Sequence, residues 1–147
     1  MRYLFLVTLI ALFSCKPAPK QAETQEIKQE VKAEGKVEVL SNDAFQKKMD
    51  ELKENNVEFT LLDVRTPAEL KNDGYLENAI NINYNDEDFA SQISLLDKEQ
   101  PLLVYCRSGG RSGKSCAMLN DLGFKEVYDL QGGILGWKDA GNAVITE

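Results

Sequence analysis

The chain has 147 residues, a formal charge of -7 and no histidine. Its acidic balance argues against a nucleic-acid partner, which demands a basic face. The missing imidazole excludes a histidine base and histidine metal ligands.

The amino-terminal region has the layout of an export signal. Met1-Arg2 is a basic start, Leu4 to Phe13 an apolar run, and Ser14-Cys15 follows, so residues 1–14 are expected to be a signal peptide. The run is too short to cross a membrane, which takes roughly 20 apolar residues. Leu12-Phe13-Ser14-Cys15 resembles a bacterial lipoprotein signal. That resemblance implies cleavage before Cys15, lipidation of Cys15, and a membrane-anchored protein in the periplasm or cell envelope. An ordinary cleaved signal with an incidental cysteine is the alternative. The lipidated cysteine would open a tether over 15–35, in which four Lys balance four Glu and only Ile27 and Val31 are large and apolar. Such a segment cannot bury enough surface to fold alone.

Residues 36–147 suffice for one core. Val37 to Leu40 reads as a strand, and Ser41 caps a helix to about Glu54 with Phe45, Met49 and Leu52 on its inner face. Phe59 to Val64 is a strand, Pro67 to Lys71 a short helix with proline at its start, and Ala79 to Ile82 a strand. Asp86 to Leu95 is a helix, Pro101 to Tyr105 a buried strand, Ser112 to Leu122 a helix, Glu126 to Asp129 a strand, and Gly133 to Ala140 the closing helix. This alternation predicts an α/β fold with a central parallel five-stranded sheet and helices on both faces. Ligands of such sheets bind beyond the carboxyl ends of the strands. Asp63 and Arg65 should share that rim with Cys106.

Cys106-Arg107-Ser108-Gly109-Gly110-Arg111-Ser112 places a cysteine between a strand and the glycine-rich start of a helix. Such a loop turns backbone N–H groups inward and the helix dipole adds positive potential, so Cys106 is expected to be a low-pKa nucleophile. From Lys36 onward there are 12 Lys plus Arg against 20 Asp plus Glu, yet Arg107, Arg111 and Lys114 cluster around this cysteine. A basic spot beside a nucleophile points to a small anionic substrate, although Lys114 alone reads as a solvated helix residue. Cys116 falls on the inner stripe of the following helix and reads as core, without a disulfide to Cys106.

At this point the sequence resembles the single-domain rhodaneses, sulfurtransferases that carry sulfane sulfur as a cysteine persulfide. The match runs over about residues 37 to 140, through Leu61 to Leu70, Gly74 to Ile82, the Cys106 loop, and Gly132-Gly133-Ile134 with Trp137. The second segment departs from the family pattern: Tyr75 replaces a histidine, and Asn78 stands where glycine is usual before Ala79-Ile80. Asn tolerates the left-handed backbone better than most residues and is expected to hold that turn. The resemblance implies a rhodanese-like domain with Cys106 as the catalytic residue. It also implies an anion-binding loop of Arg107, Ser108, Gly109, Gly110, Arg111 and Ser112, with Asp63 and Arg65 in support. The expected partners are a small anionic sulfur donor and a thiol or cyanide acceptor; a monomer without metal or cofactor is expected. Two alternatives stand beside this enzyme: a persulfide carrier or protein-binding module without turnover, and a cysteine-dependent phosphatase. The phosphatases of related fold place five residues between cysteine and arginine, against the four from Arg107 to Gly110.

Overall fold

The computed structural model describes residues 35–146. The expectations for the signal peptide, for Cys15 and for the tether up to residue 34 lie outside the described residues. Lys36–Leu40 forms β1, and the Ser41 hydroxyl accepts the Ala44 N–H at 3.3 Å to start α1 (Asn42–Glu54). β2 (Thr60–Asp63) leads to α2 (Pro67–Asp73), where Thr66 and Glu69 make a reciprocal capping box with Pro67 at the first helical position. β3 (Ile80–Asn81), α3 (Phe89–Ser94), β4 (Leu102–Tyr105), α4 (Gly110–Asp121), β5 (Glu126–Leu130) and α5 (Gly133–Asp139) complete the order.

The five strands lie in the order β1-β5-β4-β2-β3, every pair parallel. β4 is therefore central, and all four of its residues are buried. Side chains alternate between the sheet faces. Leu62, Val104 and Val127 pack with Ile93 of α3 and Leu119 of α4. Leu61, Leu103 and Tyr128 pack with Phe45 of α1 and Ile134 of α5. Phe45 and Trp137 meet edge to face at 6.2 Å, and the Trp137 indole donates to the Ala143 carbonyl at 3.0 Å. Among the described residues, no helix is long and apolar enough to cross a membrane.

Two helices differ from the sequence reading at their starts. Residues 86–88 are spent in turns, where Asn83 donates to the Asp86 carboxylate at 2.6 Å, so α3 begins at Phe89 instead of Asp86. Acidic side chains that bond locally compete with helix. Conversely α4 begins at Gly110, ahead of Ser112, because Gly109 takes φ 96° and its carbonyl accepts the Gly113 N–H at 3.0 Å. Asn78 has φ 64°, the left-handed turn expected of it.

Candidate active site

Cys106 directly follows the central strand, and its position is set from below by α5. The Ile134 and Leu135 N–H groups donate to the carbonyls of Cys106 and Arg107 at 2.9 and 3.1 Å. With those carbonyls tied to α5, the following N–H groups are turned toward the sulfur. Gly109 N–H donates to Cys106 Sγ at 3.1 Å, and Ser112 Oγ lies 3.5 Å from it. The approach of α5 requires glycine: a Cβ at Gly133, where φ is 59°, would stand 2.5 Å from the Cys106 carbonyl oxygen.

The electrostatics of the thiol follow from these donors. Burial alone would push Cys106 up, but the Ser112 hydroxyl and the N–H groups of Ser112, Ser108 and Gly109 outweigh it and hold the thiol below its ordinary pKa. Arg107, Ser108 and Gly110 are exposed around the loop's mouth, and a Cβ on Gly110 would meet nothing within 4 Å. The loop is thus open to solvent at Gly110, while Cys106 itself is buried. A cavity of about 230 Å³ elsewhere, between Met49, Leu61, Leu76 and Trp137, contains no loop residue.

The supporting residues Asp63 and Arg65 form one buried pair. Asp63 aligns with Tyr105 in the β2–β4 register, one residue before the nucleophile, so it does share the rim. Its carboxylate is filled by Arg65, whose Nε reaches both oxygens at 3.0 Å and whose Nη2 reaches Oδ2 at 2.6 Å and the Gly74 carbonyl at 2.7 Å. Both side chains are fully buried. This pair fastens the loop at Gly74 to the end of β2. Burial would pull the Arg65 guanidinium down, yet its bonds to Asp63 carry it above its usual value. Among the described residues neither side chain hydrogen-bonds to Cys106.

Glu69 is the site residue that sequence reasoning missed. Arg65 and Glu69 stand four residues apart, a helical spacing, yet Arg65 turns to Asp63 and Glu69 takes Arg111 in a fork of 2.7 and 2.5 Å. Glu69 Oε2 also accepts from the Thr66 N–H and hydroxyl, at 3.0 and 2.9 Å. Bonded first by Arg111, the Glu69 carboxyl is held at about 2. The capping pattern Thr66-Pro67-Ala68-Glu69 fixes where Glu69 stands, and nothing nearer in sequence marks its partner. Arg107 makes no ion pair among the described residues. Cys116 is core, as its position on the inner stripe implied: it is free, and burial pushes its thiol far up.

The chain matches the family model described as "Rhodanese-like domain" over residues 41–140. It is 34% identical over 85 residues to a protein of Allochromatium vinosum called "Sulfurtransferase", covering 58% of this chain and 77% of that one. It is 35% identical over 136 residues to "Thiosulfate sulfurtransferase 18" of Arabidopsis thaliana, covering 84% of this chain and 94% of that one. Among solved structures, a rhodanese-related protein of Thermoplasma volcanium superposes with a TM-score of 0.60 at 30% identity, over 75% of this chain and 99% of the other.

Proposed function

The chain belongs to the rhodanese-like domain family, and from that premise we propose that it transfers sulfane sulfur through a persulfide on Cys106. The observation that carries this reading is a buried thiol held below its ordinary pKa by donors of its own loop. The Cys106 thiolate attacks the outer sulfur of an anionic donor such as thiosulfate; the S–S bond of the donor breaks and sulfite leaves with its electron pair. The persulfide's terminal sulfur takes the space at the mouth, toward the Ser108 and Gly109 N–H groups. A thiolate or cyanide acceptor then attacks that sulfur, and Cys106 departs as thiolate. No proton need be delivered to the leaving group, which suits a site without an imidazole.

Arg107 and Arg111 both lie at the loop, and the proposal divides their work. Arg111 is occupied by Glu69 and stiffens the loop against α2, while the unpaired Arg107 meets the donor's charge. Phosphatase chemistry fits less well, since it wants an acid for the leaving oxygen and the Asp63 carboxylate is filled by Arg65. The anchoring reading of Cys15 belongs to the same proposal and rests on the sequence of residues 1–15. It puts the mature protein in the membrane fraction, and Cys15→Ala shifts it to the soluble fraction. The catalytic reading is tested with thiosulfate and cyanide as co-substrates and an aryl phosphate as control. Thiocyanate formation that needs Cys106, with negligible phosphate release, is expected. Efficient phosphate release lost in Cys106→Ser overturns the choice of sulfur.

A further inference from the structure

Asp129 stands on β5 opposite Val104 of β4, so alternation turns it to the face that also holds Val127 and Cys106. It is 5% exposed, and its buried Oδ1 has no hydrogen-bond partner. A carboxylate out of water without a paired cation is costly, and such groups normally have one. What faces Asp129 instead is the first turn of α4. A Cβ on Gly113 would lie 3.6 Å from Oδ2, and the adjacent Ser112 hydroxyl pulls against burial on the carboxyl. Ser112 Oγ is also 3.5 Å from Cys106 Sγ and 3.2 Å from the Gly109 carbonyl. A hydroxyl has one proton to donate; here the sulfur and the Gly109 carbonyl share it, and the Asp129 carboxyl stands against the same turn as a further acceptor.

We propose that Asp129 is a positioning residue for the nucleophile, and that its protonation state decides whether the Ser112 hydroxyl donates to Cys106 Sγ or to the Asp129 carboxylate. A neutral Asp129 donates its own proton to Ser112 Oγ and leaves the Ser112 proton for the sulfur. An ionised Asp129 can only accept, and it draws that proton off the thiolate. Burial favours the neutral form and lifts Asp129 above the ordinary carboxylate range, against the opposing pull of Ser112. The other titratable groups facing Asp129 are thiols: Cys116 on α4, pushed up by burial and by Asp129, and Cys106 beyond Ser112. Its neighbours Val104 on β4 and Val39 on β1 carry no charge.

The inference rests on Cys106 as the nucleophile, but its test reads alkylation and is separate from turnover. The full chain is treated with iodoacetamide across a pH series, and modification is followed on the Cys106 peptide by mass spectrometry. Ser112→Ala should raise the pH at which Cys106 becomes reactive by about one unit, the size of one charge-assisted hydrogen bond. Asp129→Asn, whose amide donates to Ser112 at every pH, should lower it; Asp129→Ser, smaller and uncharged, serves if the first variant does not fold. In the Ser112→Ala background the Asp129 substitution should be silent. A shift of equal size with and without the Ser112 hydroxyl, or no shift in either background, overturns the proposal. Sulfur transfer that survives Cys106→Ser would instead sink the persulfide reading and leave these alkylation results standing.

Discussion

Cys106 and Cys116 belong to the same core cluster and are 1% and 2% exposed, yet their thiols move in opposite directions. Burial acts on both and disfavours both thiolates. The difference is in what the backbone offers. Cys116 sits inside α4, where the N–H groups are spent on the helix ladder, and it gains only the repulsion of Asp129 and Cys106. Cys106 sits before the first turn, where N–H groups are unspent and the loop bends them onto the sulfur. Reactivity in this chain is therefore a property of loop geometry, and exposure does not rank the two sulfurs.

The most drastic way to break the comparison is to remove each sulfur. Cys106→Ser should abolish sulfur transfer with the fold retained, because the hydroxyl cannot form a persulfide and the loop backbone is unchanged. Cys116→Ala should keep most activity and lose stability only by the small cavity it leaves. Turnover and thermal unfolding of the two variants check both statements.

Gly133→Ala attacks the geometry and leaves both sulfurs in place. The left-handed backbone costs a non-glycine residue on the order of 1–3 kcal/mol, and the added Cβ would push on the Cys106 and Arg107 carbonyls, 2.5 and 2.7 Å away. The expected outcome is a lower melting temperature together with Cys106 alkylation that moves toward the unreactive behaviour of Cys116. Normal Cys106 reactivity in a folded Gly133→Ala chain would mean that α5 does not aim the loop.

The smallest effect concerns Glu69. Its carboxyl is held at about 2 in the folded chain against an ordinary 4.5. The stability from its fork with Arg111 is fully present above about pH 4.5 and is lost as pH falls toward 2. Glu69→Gln should flatten that part of the acid-unfolding curve. It should lower turnover only several-fold, since Arg111 stiffens the loop and the thiol's donors remain.

Much of this was legible in the sequence because it is written in local pattern. The inner stripe Phe45, Met49 and Leu52, the cap at Ser41, and the glycine loop after an apolar strand each follow from neighbours a few residues apart. Asn78 in the left-handed region was readable for the same reason. The partners of Arg111 and Arg65 were not. Arg111 meets Glu69 across 42 residues, and local spacing offered Arg65 to Glu69 when the fold brought Asp63 and the Gly74 carbonyl closer. Asp129 read as one more strand residue, since only the β4–β5 register and the start of α4 reveal that it is buried against Ser112.

The most direct test of the central claim is a mass spectrum of the full chain, digested under non-reducing conditions after incubation with thiosulfate. The account predicts one added sulfur on the Cys106 peptide, removed by a thiol acceptor, and an unmodified Cys116 peptide. Sulfur found on Cys116, or on neither peptide while the chain still turns thiosulfate over, would contradict it.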